Sequence, residues 1–177
     1  MNNIDIYSAG VLPYSIKDNT IYFLLGRDSD GKWSDFGGHC EANDKNSHST
    51  TASREFFEES LGCIYDLEFT KKILKYKKCP FIISKTNSGH PYYMYLIKIS
   101  HNNIYRDKFI STKNFINNSV IKFIDKKYLE KHDVRWFSID TLYHCVENKS
   151  MITLRNNFSN TIKNNNLLDL ININIST

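Results

Sequence analysis

The chain has 177 residues, with 23 Lys and Arg against 19 Asp and Glu, so its formal net charge is +4. Because 41% of the residues are hydrophobic and 14% are aromatic, the chain can bury a core, which argues against wholesale disorder. A chain of this length usually forms one domain. No apolar run approaches the roughly 20 residues of a membrane span, and the first residues lack the features of a signal peptide. We therefore expect one soluble cytoplasmic domain, residues 1–177, with no membrane partner.

The small excess of positive charge does not favour bulk binding of nucleic acid, although it is compatible with an anionic substrate. The four cysteines are far apart in sequence and form no C-x-x-C pair, and the six histidines are scattered. This spacing argues against a zinc site and against a disulfide framework.

The first third of the chain is typical of strands. Two runs rich in Tyr, Ile, Val and Leu, residues 6–15 and 21–27, flank the turn formers at 17–19. A short segment at 32–36 precedes Gly37-Gly38. A helical pattern then runs from about Thr51 to Leu61 and ends at Gly62.

The remainder mixes strands and helices. Residues 73–100 alternate strand-like runs, with a hairpin predicted between 81–84 and 92–99. Residues 102–131 form an insertion-like segment with one or two helices, and we expect the end, residues 171–177, to be loose. The other predicted elements are a strand at 134–139 and helices at 140–146 and 151–163. This mixed order predicts an α+β fold, an α/β/α sandwich around a mixed sheet.

The segment Arg54–Glu59 is the most informative part of the sequence. On a helix Glu55, Glu58 and Glu59 lie on one face, where their like charges repel, while Phe56 and Phe57 point elsewhere. A divalent cation would relieve this repulsion, and clustered carboxylates are ligands that suit Mg²⁺ or Mn²⁺. A solvated acidic face is the alternative interpretation. The preceding Gly37-Gly38 favours a site, because paired glycines allow close approach of a phosphate or metal.

This arrangement resembles the Nudix box, a motif of the Nudix hydrolase family. The matching residues are Gly38, Arg54, Glu55, Phe56, Glu58 and Glu59. The flanks are similar to the strands of that family at residues 8–12, 23–27 and 134–138, so the resemblance covers about residues 5–165. It implies the Nudix α/β/α sandwich.

Three features depart from the motif. Asp44 stands where the family has Glu, nine residues rather than seven separate it from Arg54, and one extra residue precedes Gly62. Longer polar loops cost little, since closure entropy rises by only about 0.6 kcal/mol per doubling of length. The role of position 44 stays open.

The resemblance implies that a diphosphate linkage is cleaved by attack of water on phosphorus with the help of bound metal. It implies Mg²⁺, or Mn²⁺ in its place, held by Glu55, Glu58, Glu59 and the carbonyl of Gly37. Arg54 would orient a glutamate by charge-assisted hydrogen bonds. We assign the general base to Glu130, which precedes the last strand, with Glu58 and Glu59 as the rivals.

Four further residues are candidates for binding substrate. Arg27 and His39 could hold a phosphate, Trp33 could stack on a base, and Asp35 could bind a ring nitrogen. Three of them have an ordinary structural alternative: surface charge for Arg27, core packing for Trp33 and a turn cap for Asp35.

Two groups of lysines bear on the size of the substrate. They are Lys71, Lys72, Lys75, Lys77 and Lys78, and then Lys122, Lys126, Lys127 and Lys131. Solvated faces are the simpler interpretation, and a strongly anionic substrate is the other.

The sequence therefore predicts a Mg²⁺-dependent pyrophosphohydrolase acting on a nucleoside diphosphate linked to another group. Capped mRNA and an inositol pyrophosphate are alternative substrates for the same fold. A catalytically weak nucleotide-binding module is the rival from another class. The resemblance also allows a homodimer.

Overall fold

The computed structural model describes residues 6–76, 79–119, 125–147 and 149–165, together with Leu167 and Ile171. Among these residues, none of the helices has the length and apolar character needed to cross a membrane.

Seven strands and five α-helices make up the described fold. The strands are β1 (Ser8–Lys17), β2 (Thr20–Asp28), β3 (Trp33–Ser34), β4 (Phe36–His39), β5 (Phe81–Lys85), β6 (Pro91–Lys98) and β7 (Lys131–Ser138). The helices are α1 (His48–Glu59), α2 (Leu67–Tyr76), α3 (Ile104–Asn118), α4 (Ile139–Val146) and α5 (Asn156–Asn164).

The strands form one mixed sheet. Its main order is β3-β2-β1-β6-β5, with β4 paired to β1 and β7 paired to β2. The β1–β6 pair is parallel, and the other pairs are antiparallel. Since β1 pairs with both β4 and β6, the glycine segment of β4 lies beside the middle of the sheet.

Helices cover both faces of the sheet, because the central strands are apolar on both sides. On β1, Ala9 and Val11 pack with α1, α2 and α3, whereas Leu12 and Tyr14 pack with α4 and α5. The alternation follows the period of two of a strand. The predicted α+β sandwich with a mixed sheet is confirmed.

Helix α1 is anchored by one face and capped at its start. Ser47 is the N-cap, and its side chain accepts a hydrogen bond from the backbone N–H of Thr50. Ala52 and Phe56 are fully buried, and the Phe56 ring meets that of Phe36 edge-on. This anchoring turns the glutamate face of α1 toward β4 and the loop before β7.

Some predicted elements differ from those observed. Residues 73–76, predicted within a strand-like region, end helix α2, whose buried Thr70, Ile73 and Leu74 follow a helical spacing. The insertion-like segment 102–131 contains one α-helix, α3, followed by a short 3₁₀ turn at Lys126–Leu129. Of the predicted loose tail, Ile171 is buried in the core and residues 172–177 lie outside the described residues.

Candidate active site

A cleft of about 480 Å³ opens between β4, the start of α5 and the loop that joins β5 to β6. Of the predicted site residues, Asp35, Gly37, His39, Glu55 and Glu130 line it. The other lining residues are Ser8, Gly38, Thr86, Asn87, Ser88, Tyr92, Arg155, Asn157 and Phe158. The cleft therefore combines residues from six separate parts of the chain.

Gly38 leaves room for the carboxyl group of Glu55. A Cβ at this position would lie 2.6 Å from the carboxyl group of Glu55, closer than any real contact. The missing side chain thus leaves the space that the Glu55 carboxyl group occupies at the wall of the cleft. The packing of this chain therefore gives a reason for glycine at position 38.

Arg54 connects the segment before α1 to the glutamates. Its Nε and Nη2 donate to the two carboxylate oxygens of Asp44, at 3.1 and 2.9 Å. Its Nη1 donates to Glu55 at 2.8 Å and to Glu58 at 3.1 Å, and its Nη2 also donates to the carbonyl of His39. Arg54 does not line the cleft, and its contacts are those of a residue that orients the glutamates.

Asp44 has a definite structural role. Its carboxylate is buried and accepts hydrogen bonds from Arg54, the Thr51 hydroxyl and the backbone N–H of Glu41. Burial alone would raise the pKa of Asp44, but the hydrogen bonds, led by those from Arg54, outweigh it and lower the pKa. The shorter acid at this position therefore holds Arg54 in place and does not reach the cleft.

Glu58 lies between two cations. One carboxylate oxygen accepts from Arg54, and the other lies 2.7 Å from the ammonium of Lys127. Lys127 belongs to the 3₁₀ turn before β7, so that turn closes over one side of the glutamate cluster.

Glu59 is buried beneath the glycine segment. Its Oε2 accepts a hydrogen bond from the backbone N–H of Gly37 at 2.7 Å, and its Oε1 lies 3.6 Å from the ammonium of Lys131. The Lys131 side chain is fully buried and also donates to Asp28 at 2.6 Å and to Ser34 at 2.8 Å. A buried lysine thus sits directly beneath one of the predicted metal ligands.

The carboxylates outweigh the cations around the cleft. Burial raises the pKa of Glu55 to about 7, although Arg54 opposes the rise, and the nearby charges of Glu58 and Glu130 add to it. Burial likewise raises the pKa of Glu59 to about 8, against the opposing charge of Lys131. Such shifts are common at functional sites, where like charges and desolvation are combined.

The donor set fits a divalent cation by its chemistry. Burial raises the pKa values of Glu55 and Glu59, a bound cation would favour their charged forms, and carboxylate oxygens are the ligands that Mg²⁺ prefers. Their present arrangement is less favourable for a cation, because Glu58 and Glu59 are already paired with lysines. Across the described ranges, no three His, Cys, Asp or Glu side chains are grouped as a ready-made metal site.

Glu130 is exposed and lines the cleft, close enough to Glu55 for its charge to raise the pKa of that residue. Its position depends on the insertion-like segment. The buried ammonium of Lys113 in α3 donates to the carbonyls of Leu129, at 3.0 Å, and of Lys131, the two residues that flank Glu130. Helix α3 therefore holds the backbone on both sides of the predicted base.

Two of the four predicted substrate residues face the cleft. Asp35 is buried at its wall and accepts a 2.5 Å hydrogen bond from the Tyr92 hydroxyl. Burial raises the pKa of Asp35 to about 6, although the hydrogen bond from Tyr92 and the charge of Lys131 oppose the rise. His39 bonds through Nδ1 to the Ser8 hydroxyl at 2.7 Å.

Arg27 and Trp33 lie elsewhere. Trp33 is buried in the core, where its ring meets that of Phe137 edge-on at 4.9 Å. The Arg27 guanidinium lies 5.9 Å from the Trp33 ring. Neither residue lines the cleft, so these positions do not support their predicted contacts with a substrate.

The lysine groups are also placed differently from the prediction. Lys71, Lys72 and Lys75 lie on helix α2 and not on a strand. Lys127 and Lys131 are paired with glutamates of the box. Lys77, Lys78, Lys122 and the side chain of Lys126 lie outside the described residues.

Several functional candidates were missed from the sequence. Lys131 was named only as a member of a basic group, and its buried position beneath Glu59 was missed, although it shares the inward face of β7 with buried Asp133. The others, which are Thr86, Asn87, Ser88, Arg155 and Asn157, are ordinary polar residues with no local pattern, and only the fold brings them to the cleft.

Comparison with known sequences gives little. No family profile matches the chain. Uncharacterized protein L534 of Acanthamoeba polyphaga mimivirus is 39% identical over 67 residues, which cover 34% of this chain and 21% of that protein. The chain thus spans about a fifth of the length of the curated relative that it matches.

Comparison with solved structures is more informative. An Ap4A hydrolase of C. elegans has a TM-score of 0.50 at 15% identity, over 97% of this chain and 98% of that one. The Nudix domain of Shewanella oneidensis NrtR, solved with ADP-ribose, has a TM-score of 0.51 at 12% identity, over 98% and 90%. The C-terminal domain of mouse MUTYH, solved in complex with human PCNA, has a TM-score of 0.50 at 9% identity, over 98% and 91%. At these identities the likeness concerns the fold alone, and the fold of this chain is that of the Nudix hydrolases.

Proposed function

We propose that the chain is a Mg²⁺-dependent pyrophosphohydrolase that cleaves a phosphoanhydride bond in a nucleoside diphosphate linked to another group. One observation carries this proposal. In a Nudix fold, the glutamate face of α1 meets Gly37-Gly38 at a cleft that also contains Glu130. Burial without full compensation leaves Glu55 and Glu59 with raised pKa values, as expected of carboxylates built to receive a cation.

Each box residue has a separate role in this mechanism. Glu55 and Glu59, with the carbonyl of Gly37, would hold Mg²⁺, and Glu58 would share it. Bound Mg²⁺ supplies neutralisation of the phosphate charge and a more acidic water. Arg54 keeps Glu55 and Glu58 oriented through its hydrogen bonds, as its contact with Asp44 fixes its own position.

We assign the general base to Glu130. It accepts a proton from the attacking water as that water forms a bond to phosphorus and the bridging oxygen leaves. The exposure of Glu130 in the cleft supports this choice, whereas Glu58 and Glu59 are buried and engaged with lysines and backbone. Lys113 supports the same role by holding both neighbours of Glu130.

Incubation with a panel of diphosphate compounds tests the proposal. The panel contains nucleotide sugars, nucleoside triphosphates, dinucleoside polyphosphates, an inositol pyrophosphate and capped RNA, each with and without Mg²⁺. Mass spectrometry should find products of phosphoanhydride cleavage that require Mg²⁺. A panel with no cleavage at any Mg²⁺ concentration would contradict the proposed activity.

A nucleotide-binding module without hydrolysis is the second candidate. The pairing of Glu58 with Lys127 and of Glu59 with Lys131 favours it, because those lysines compete with a metal ion for the carboxylates. Tight binding of a panel compound, together with no cleavage, would favour this function. Loss of cleavage that is restored by raising Mg²⁺ would instead show that the lysines only weaken metal binding.

A further inference from the structure

The part of the cleft lining that comes from the β5–β6 loop and the start of α5 is here called the distal subsite, and it consists of Thr86, Asn87, Ser88, Arg155, Asn157 and Phe158. We propose that the distal subsite binds a sugar phosphate: Arg155 holds the phosphate, and Asn157 with the 86–88 loop binds hydroxyl groups of the attached sugar. This inference deepens the proposed function and rests on it, because it names the part of the diphosphate substrate that the subsite recognises.

Arg155 is the source of positive charge in the cleft. The described lining residues include three carboxylates, Asp35, Glu55 and Glu130, and Arg155 is the single lysine or arginine among them. A diphosphate brings further negative charge to this surface. An arginine that can bind phosphate through two N–H groups therefore has a large effect on where the diphosphate binds.

The position of Arg155 suits this task. Its backbone N–H donates to the carbonyl of Trp33 at 2.9 Å, and Leu154 pairs with Trp33, so the segment before α5 is fixed to β3. Its side chain is half exposed and lies 3.6 Å from Asp28, a loose contact that leaves its other N–H groups available. A phosphate in the cleft can therefore be bound by Arg155 without first disrupting the fold.

Asn157 offers an acceptor that the fold does not use. Its Oδ1 is buried and has no hydrogen-bond partner, although its residue lines the cleft. Leaving a buried polar atom unsatisfied costs free energy, and a hydroxyl group of a ligand would satisfy this amide after a small rotation of the side chain. Sugar hydroxyl groups are donors of that kind.

The other lining residues favour a sugar over a nucleobase. The 86–88 loop contributes the Asn87 amide and the Ser88 hydroxyl, groups that bind hydroxyl groups well, whereas the Thr86 hydroxyl is engaged with the backbone of His90 and with Ser88. A base would need an exposed aromatic face on which to stack. Of the two aromatic residues in the lining, Phe158 is only 2% exposed, and the hydroxyl of Tyr92 is engaged with Asp35.

Calorimetric titration in EDTA tests the subsite without depending on hydrolysis. The probes are ADP-glucose and ADP, which differ by the sugar on the second phosphate. We expect the wild-type protein to bind ADP-glucose more tightly than ADP. Asn157→Leu should remove this preference and leave the affinity for ADP unchanged.

Arg155→Gln should weaken the binding of ADP-glucose at least tenfold, since a charge-assisted bond to phosphate is lost. Arg135→Gln is the matched control, because both side chains are 53% exposed and Arg135 lies outside the cleft. It should change the affinity less than twofold. Thermal unfolding of each variant shows whether it is folded.

The results separate this inference from the proposed function. Equal affinity of the folded wild-type protein for the two probes, no binding of either, or equal effects of the two arginine variants would overturn the subsite. Binding that depends on Arg155, with no cleavage of any panel compound in Mg²⁺, would retain the subsite and contradict the hydrolase.

Discussion

Replacement of Lys131 by Met removes a buried ammonium and leaves its partners in place. Lys131 lies 2.6 Å from Asp28 and 3.6 Å from Glu59, and its side chain is fully buried. At an effective dielectric constant of about 20, the closer pair attracts by about 6 kcal/mol, from which the desolvation of both charges must be subtracted. Removing one partner of such a pair typically costs about 3–5 kcal/mol, and we expect a loss of that size at pH 9.

The loss should be smaller at pH 6. Burial raises the pKa of Glu59 to about 8, so at pH 6 this carboxyl group already carries a proton. A neutral carboxyl group is stabilised less by the charge of Lys131 than a carboxylate is. At pH 9 the variant must either keep Glu59 protonated or leave its charge uncompensated. Lys131 opposes the rise in the pKa of Glu59, so its removal raises that pKa further. A raised folded-state pKa of a carboxyl group lowers the stability of the protein as the pH rises toward that pKa, so the destabilisation by the substitution grows with pH.

Urea denaturation at the two pH values measures both effects. Lys32→Met is the matched control, since Lys32 also lies 2.6 Å from its partner, Asp30, but both side chains are largely exposed. Exposed pairs of this kind contribute little, so this variant should stay near the wild type. Equal losses in the two variants, or a loss for Lys131→Met that does not depend on pH, would refute the reasoning.

Three further substitutions test other parts of the structure. The free energy of unfolding of Asp35→Asn, measured in urea, should rise by about 1–3 kcal/mol relative to that of the wild type between pH 4 and pH 7. The reason is that Asp35, with a pKa of about 6, loses its stabilising proton in that range, whereas Asn does not titrate. A difference that stays constant with pH would contradict the burial of Asp35 as a carboxylate. Gly62→Ala should lower the stability measured by thermal unfolding by about 1–2 kcal/mol, since the φ of Gly62 is +63° and a Cβ would lie 2.7 Å from the Phe57 ring. Gly31→Ala is the control and should cost less, because Gly31 has a φ of +85° but open space around it. Glu130→Gln should lower the turnover number at least 100-fold while the surface variant Glu147→Gln leaves it unchanged, and a loss under threefold would remove Glu130 as the base.

Local sequence was sufficient where the physical cause is local. The glutamate face of α1 follows from the helical period, and its motif includes the glycine whose missing side chain leaves room for Glu55. The strands β1 and β2 follow from their β-branched and aromatic residues and the turn between them. Helix α2 was also open to prediction, because Ile73 and Leu74 keep the helical spacing from Thr70, but the strand propensity of its aromatic and branched residues obscured it.

The contacts that complete the site join distant parts of the chain. Lys131 and Asp28 are 103 positions apart, and Tyr92 and Asp35 are 57 apart. Their pairing depends on β7 lying beside β2 and on β6 lying beside β1, which no local pattern encodes. The same holds for Trp33, whose residue type suits both base stacking and the core, and which the packing of α4 and α5 places in the core.

Which charged side chains line the cleft was likewise decided by the fold. From the sequence, Arg27 and His39 were candidates to hold a phosphate, and the two lysine groups were interpreted either as solvated faces or as partners of a strongly anionic substrate. In the structure Arg27 packs on Trp33, Lys127 and Lys131 pair with glutamates, and Arg155 enters the cleft. Residue type and spacing thus determined the fold class and the glutamate face of α1. The packing of α5 and the β5–β6 loop against the sheet decided which residues surround that face, because charges act over distances that only the folded chain defines.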